Sequence, residues 1–293
     1  MTTLIIGCGY LGQRLGIILH NRGERVFGTT RSASRARVIA GLGIEPVIAD
    51  VLEPSSLIRL PETQRVFYCV GFDRTAGSSM RTVYVDGLQN VLVSLPRSAT
   101  RFVYASSTGV YGQTDGEWVD ESSPTCPHHE SGKVCLEAED RVRAWANSGD
   151  RGRSVVVLRF AGLYGPGRLV RRSILERGEP IPGAPHKILN LIHIDDAALA
   201  AAAALAAARP DPLYLVCDDR PVTRKEYYTQ MATILGTAEP RFEPPRPETP
   251  DSARDATNKR INNNRIKTGL RLALVHPDLE SGLLGSLQAS SHA

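Results

Sequence analysis

The sequence predicts an α/β fold: a doubly wound, parallel sheet with helices on both faces, joined to a smaller C-terminal substrate-binding region. Three observations carry this. Short apolar, β-branched runs alternate with helical stretches as far as Arg159, with short connections. The first run, Thr3–Ile6, leads directly into a glycine-rich turn and a helix. After Gly167 the alternation gives way to Pro/Gly loops, an alanine-rich helix and isolated strands.

The elements follow in order. Thr3-Leu4-Ile5-Ile6 is the first strand, and Gln13–His20 carries Leu15, Ile18 and Leu19 on one helical face. Gly23–Arg31 reads as a turn and second strand, Ser34–Leu42 as a helix, Pro46–Asp50 as a third strand, and Ser55 opens a short helix. Arg65–Gly71 is the fourth strand, Val83–Leu95 a helix stopped by Pro96, and Arg101–Ser107 the fifth strand. Lys133–Ala146 is a helix with Val134, Ala138, Val142 and Trp145 on one face, and Ser154–Arg159 the sixth strand. Beyond Gly167 the pattern predicts a basic helix over Arg168–Arg177 and a strand at Leu191–Ile194. The alanine-rich helix follows, with Asp195 and Asp196 at its N-terminus, then a strand at Tyr214–Cys217 and a helix capped by Thr223. Glu239–Thr249 reads as an irregular surface segment and Ser286–Ala293 as a frayed tail. The division expected is a cofactor-binding domain over 1–165 and a smaller substrate or lid region over 166–293, with 190–208 returning to pack on the first domain.

Composition bounds the partners. A chain of 293 residues with 42% hydrophobic and 23% charged residues is ordinary for a globular protein. Net charge is +4, but the basic residues are scattered among acids and form no concentrated patch, so no nucleic-acid partner is expected. Five cysteines at wide spacing (8, 69, 126, 135 and 217) point to free thiols in a reducing compartment. The N-terminus lacks a signal-peptide pattern, and the longest apolar run, Ala197–Ala208, is too short to span a bilayer. A cytoplasmic protein with no membrane partner is the expectation.

Gly7-Cys8-Gly9-Tyr10-Leu11-Gly12 is a G-x-G-x-x-G between a strand and a helix. In a Rossmann-type unit Gly7 permits the sharp turn, Gly9 the close approach of backbone to a diphosphate, and Gly12 the packing of helix on strand. The amides of Tyr10 and Leu11 open the helix and face the phosphates. The end of the second strand decides which dinucleotide. An NAD site places a carboxylate there for the ribose hydroxyls. Here the stretch reads Thr29-Thr30-Arg31-Ser32, with Arg35 one turn on, and no acid lies between Glu24 and Glu45. Thr30, Arg31 and Arg35 therefore favour NADP over NAD, because a guanidinium pairs with a 2′-phosphate. Val70 and Gly71 end the fourth strand and would line the ribose side.

Further motifs resemble the short-chain dehydrogenase/reductases, in particular their extended and atypical NAD-dependent epimerase/dehydratase-like branch. Ser106-Ser107-Thr108-Gly109-Val110-Tyr111-Gly112 is similar to that branch's S-S-x-x-V-Y-G, and Leu158-Arg159 through Tyr164-Gly165-Pro166-Gly167 to its L-R-x-x-x-x-Y-G-P-G. Asn190–Asp196 resembles N-x-I-H-V-D-D, and Asn258-Lys259-Arg260 resembles the N-K-R segment of an atypical subgroup. The resemblance implies a site between the two parts, Asp50 beside the adenine, Ser107 as the catalytic serine, Lys133 as the catalytic lysine that also holds a cofactor ribose, and a homodimer through the Lys133 helix. Three departures stand out. The glycine motif is the shorter form. Tyr84 fills the place of a common Asn, and His129 stands where the family's catalytic Tyr belongs, four residues before Lys133. Glu137 follows Lys133 at the family's spacing.

The resulting expectation is an NADP-dependent oxidoreductase acting on a small carbonyl, alcohol or sugar-like substrate. Ser107 would polarise the carbonyl, and the His129 imidazole is one candidate proton donor. Its rivals are a non-catalytic NADP-binding redox sensor or scaffold, to which the missing Tyr points, and a nucleotide-sugar epimerase, which normally needs that Tyr. Arg168, Arg171, Arg172 and Arg177 offer a clamp for an anionic substrate or a solvated helix face. Cys126, His128, His129 and Cys135 have ligand types but match no common zinc spacing, so no metal is expected.

Overall fold

The computed structural model describes residues 1–148, 152–245 and 256–288. Seven parallel strands form the central sheet: β1 (Thr2–Ile6), β2 (Arg25–Thr30), β3 (Glu45–Ile48), β4 (Arg65–Tyr68), β5 (Arg101–Ser107), β6 (Ser154–Phe160) and β7 (Leu213–Val216). Their order is β7-β6-β5-β4-β1-β2-β3. The chain builds outward from β1 in both directions, so the carboxyl ends of β1 and β4 flank the switch point where an open α/β sheet leaves a crevice.

The sheet is buried on both faces, as its near-continuous apolar strands require. Within β1, Ile5 joins one core layer with Leu15, Leu19, Phe67, Val103 and Val156, while Leu4 and Ile6 join the other with Val66, Leu88, Phe102, Val134 and Trp145. Alternation along a single strand thus fills two cores. The covering helices are α1 (Tyr10–Asn21), α2 (Ala33–Gly41), α3 (Gly87–Ser94, entered through a π turn at Thr82–Asp86), α4 (Glu130–Asn147) and α5 (Ile194–Ala206). Six alanines of α5 are fully buried, and their small side chains let it lie close against α1 and the sheet. The sheet layer is therefore discontinuous in sequence: β7 and α5 both come from beyond residue 166. A third cluster, with Tyr164, Leu175, Tyr227, Tyr228, Met231 and Leu283, sits under α6 (Arg224–Leu235) and α7 (Leu279–Gln288).

Several boundaries differ from the sequence reading, each for a local reason. The basic helix over Arg168–Arg177 shrinks to Arg172–Glu176, because Arg171 adopts a left-handed φ of 58° and breaks the turn before it. The helix expected over Val83–Leu95 starts as the π turn. The helix cap before Asp195 and Asp196 is His193, whose Nδ1 accepts the Asp195 N–H at 3.3 Å. Ser286 does not fray: it is buried within α7, and its hydroxyl donates to the Gly282 carbonyl. Residues 289–293 of that tail, and 246–249 of the proline-rich segment, lie outside the described residues. Phe242–Glu243 at the start of that segment pairs with Ile181–Pro182. All five cysteines are free thiols, and among the described residues no helix is long and apolar enough to cross a membrane.

Asp196 ties the C-terminal segment to the sheet layer. It is fully buried and accepts the N–H groups of Val275 and His276 at 2.7 and 2.9 Å. Asp196→Ala strands two backbone donors, so it should destabilise the fold by about 2 kcal/mol, read as a lowered midpoint in urea unfolding. An unchanged midpoint would show that the docking contributes nothing.

Candidate functional site

The glycine turn has the form a dinucleotide needs. Gly7 has φ +86°, and a Cβ there would lie 2.8 Å from the Val70 backbone at the end of β4. A Cβ on Gly12 would meet Ile5 and the Gly7 carbonyl at 3.0 Å, so α1 packs directly on β1. Gly9 faces open space, its nearest atom being the Gly7 oxygen at 4.0 Å. Among the described residues nothing accepts from the amides of Tyr10, Leu11 and Gly12 in the first turn of α1. These donors, at the positive end of a helix, suit a diphosphate. The turn is braced by Thr29, whose Oγ1 accepts the Gly7 N–H at 2.8 Å.

The other expected cofactor residues surround this turn. Thr30 ends β2 and Arg31 follows it, Ser32 caps α2 by accepting the Arg35 N–H, and the Arg31 guanidinium lies 3.7 Å from Asp73 in the loop after β4. Asp50 accepts the Leu52 N–H at 2.9 Å and so braces a turn. Val70 is half-buried, and Gly71 is exposed, with nothing within 4 Å of the place a Cβ would take. Tyr10 reaches across from α1: its hydroxyl donates to the Pro166 carbonyl at 3.0 Å, with the Arg14 and Arg168 guanidinium groups over its ring.

On the substrate side, Ser107 ends β5 and caps the 3-10 turn Thr108–Val110, its Oγ accepting the Gly109 N–H at 3.0 Å. Gly132 in α4 abuts Gly109, since a Cβ there would lie 2.6 Å from the Gly109 carbonyl. That contact brings the Ser107 turn against the first turn of α4, where Lys133 is exposed. The helix begins at Glu130, so His129 is its N-cap, with extended backbone. The His129 carbonyl accepts the Gly132 and Lys133 N–H groups at 3.0 and 3.2 Å, so this residue opens the helix one turn before Lys133. Its Nε2 is buried without a partner among the described residues, whereas the neighbouring His128 ring is tied to the Gly112 carbonyl at 2.7 Å. Cys126 is exposed and Cys135 buried, so that set of metal-ligand types does not converge. His193, Asp195 and His276 do approach one another, to within 4.8 Å, yet each is already engaged: Asp195 by Arg14, His193 as the helix cap, His276 with the Ser281 carbonyl. Of the four arginines offered as an anion clamp, Arg172 pairs with Glu176 and Arg177 with Glu179, while Arg171 bonds the Pro182 carbonyl.

Beneath the site lies a buried ionic cluster. Glu139 on α4 and Arg159 on β6 form a two-point pair at 2.8 and 2.9 Å. Ser106 donates to Glu139 at 2.6 Å and Arg143 at 2.7 Å, while Arg159 also donates to the Tyr111 hydroxyl at 2.8 Å. Burial alone would push the Glu139 carboxyl up; the bonds and charges of Arg159, Ser106 and Arg143 outweigh it and hold the pKa below the ordinary glutamate value. Glu137, at the family's spacing, instead pairs with Arg81 on the surface. Lys259 completes the support by donating to the Tyr111 carbonyl at 2.8 Å, and burial draws its pKa down to about 8. Lys259 belongs to the N-K-R segment, whereas Glu139 stands in none of the motifs. A carboxylate at the i+4 position from Cys135, on a buried stripe, was the available signal for Glu139.

The fold and this arrangement define the class: the chain belongs to the NAD dependent epimerase/dehydratase family, whose sequence model matches residues 3–217. Within it, the chain is 31% identical over 282 residues to Protein YeeZ of Escherichia coli (strain K12), covering 94% of this chain and 96% of that one. It is 29% identical over 273 residues to short-chain dehydrogenase/reductase family 42E member 1 of Mus musculus, covering 80% of this chain and 68% of that one. A functionally unknown conserved protein from Silicibacter pomeroyi has a similar structure (TM-score 0.78, 30% identity, 98% of each chain). UDP-glucose 4-epimerase of Thermotoga maritima, at 19% identity and TM-score 0.83 over 100% of this chain and 99% of its own, shares the fold.

Glu139→Ala should destabilise the protein by about 3–5 kcal/mol, because Arg159 is left buried and uncompensated. Pairing it with Arg159→Met should recover much of that loss in urea unfolding. The lowered carboxyl pKa gives the pH sign: the contribution is complete above the ordinary glutamate pKa and is lost as pH falls through the folded value. The wild type should thus lose stability to the variant's level in acid; a gap that persisted there would contradict this assignment.

Proposed function

We propose that this chain is an NADP-linked oxidoreductase of a small carbonyl, alcohol or sugar-like substrate. The observation that carries the reading is the intact glycine cradle, with three unpartnered amides opening α1 and Arg31 at the adjacent strand end. Gly7, Gly9 and Gly12 let the diphosphate lie on the first turn of α1. Val70, whose backbone abuts Gly7, and Gly71 would line the ribose, and Lys133 would hold a ribose hydroxyl. When bound, a nicotinamide supplies or accepts the hydride. Ser107 hydrogen-bonds the substrate oxygen beside it.

The choice of NADP rests on Arg31 and Arg35. Arg31's present partner, Asp73, is 3.7 Å away and both side chains are about half exposed, with 57% and 47% of their surface accessible. Such a pair contributes little, so a phosphate carrying nearly two charges would displace Asp73. The five free thiols suit a reducing, cytoplasmic setting.

A second reading, a dinucleotide-binding sensor or scaffold without turnover, draws support from the position of His129 outside α4. An epimerase reading draws on the family description alone.

Fluorescence titration should show NADPH binding more tightly than NADH. Arg31→Ala should weaken NADPH by about tenfold, the value of one charge-assisted phosphate contact, and leave NADH nearly unchanged. Preferential NADH binding by the wild type would overturn the NADP assignment, and NADPH binding without turnover of any carbonyl would favour the sensor.

A further inference from the structure

We infer that Tyr84 supplies the phenol that the family's usual position lacks, and that it exchanges the proton with the substrate oxygen. The inference rests on the oxidoreductase reading above.

Three independent observations converge on this side chain. First, its hydrogen bonding is half complete. The Tyr84 hydroxyl accepts the Phe72 N–H at 3.2 Å, and among the described residues nothing accepts its proton. The hydroxyls of Tyr10 and Tyr111, by contrast, donate to the carbonyls of Pro166 and Asp120 at 3.0 Å. Among the described residues the hydroxyls of Tyr68 and Tyr164 have no hydrogen-bond partner and those of Tyr214 and Tyr227 likewise only accept an N–H, but all four side chains are sealed in the core with 1% or less of their surface exposed, whereas Tyr84 is only partly buried.

Second, its backbone is unusual. Tyr84 lies in the middle of the π turn Thr82–Asp86, and such turns gather at functional sites because the extra residue re-aims a side chain. Third, its surroundings are those of the site. Phe72, its hydrogen-bond donor, directly follows Gly71 at the end of β4, and the two rings meet edge to face with centroids 6.4 Å apart. The π turn packs against α4, the helix that carries Lys133, and Arg168, which also lies over Tyr10 beside the glycine turn, is the cation whose charge acts on this phenol.

The proton balance is simple. In the reducing direction the substrate carbonyl carbon gains the hydride and its oxygen becomes an alkoxide. The Tyr84 O–H bond breaks, the product O–H bond forms, and the phenolate left behind recovers its proton from water. Oxidation runs the same path backwards. Burial raises the phenol's pKa on balance, while the Phe72 N–H and the Arg168 cation favour the phenolate.

Tyr84→Phe removes one oxygen and tests this with two readouts. The first is turnover with the best substrate from a carbonyl panel, set against NADPH affinity by fluorescence. Turnover should fall at least about a hundredfold with affinity within about twofold of wild type. Activity within about threefold of wild type overturns the proposal, as does a His129→Ala variant that loses turnover while Tyr84→Phe keeps it. The second readout needs no substrate. The phenolate absorbance of wild type minus Tyr84→Phe isolates the titration of this one residue, and oxidised cofactor, whose nicotinamide ring is cationic, should lower its midpoint. A midpoint unmoved by a cofactor that demonstrably binds overturns the proposal. Failure of all carbonyls to turn over would instead count against the oxidoreductase reading.

Discussion

The two-point ion pair between Glu139 and Arg159 holds the candidate-site end of this protein together. Neither residue is near its own solvent: Glu139 is fully buried and Arg159 nearly so. Charges in such a place persist only when each is matched and its remaining bonds are filled. Here Ser106, Arg143 and the Tyr111 hydroxyl fill them. Each of those residues belongs to a different piece of the site. Ser106 immediately precedes Ser107, Glu139 lies on the helix that carries Lys133, and Tyr111 closes the turn after Ser107. The buried pair therefore sets the positions of two strands, the turn after Ser107 and a helix relative to each other, which is the supporting shell that a reactive constellation requires.

A second set of contacts joins the cofactor turn to the distal half of the chain. Tyr10 leaves the glycine turn to bond Pro166, Arg14 of α1 pairs with Asp195 of α5, and Asp196 next to it holds residues 275 and 276. The Asn258–Arg260 segment returns from far along the sequence to the same loops: Asn190 bonds the Lys259 carbonyl, and Lys259 bonds Tyr111. Buried and part-buried polar contacts thus tie the glycine turn and the Ser107 loop to the distal half of the chain.

The sheet was legible because its signals are local. Apolar β-branched runs, Gly7 and Pro96 act within a few residues, and the seven parallel strands of the structure follow from them, as does membership of the family. What was not legible depends on distance in sequence. Glu139 looks like any helical surface acid until Arg159, 20 residues on, is placed opposite it. Ser286 reads as a polar tail residue until α7 docks it beside His193. The helix over Arg168–Arg177 was overestimated because its propensity is real but the left-handed Arg171 is set by the loop's packing. At the site itself, the spacing of His129 and Lys133 suggested one shared face. α4 starts at Glu130, with Gly132 against Pro127 and Gly109, and His129 caps it with extended backbone.

The central claim is that this cradle serves chemistry, and the most direct measurement is transfer of label. NADPH carrying deuterium at the transferable position of its nicotinamide would be incubated with the protein and a metabolite extract, and the products read by mass spectrometry. Deuterium should appear on carbon in a discrete product, and heat-denatured protein should give none. Tight binding of NADPH with no deuterium leaving it would contradict the account and make the protein a sensor of the nucleotide.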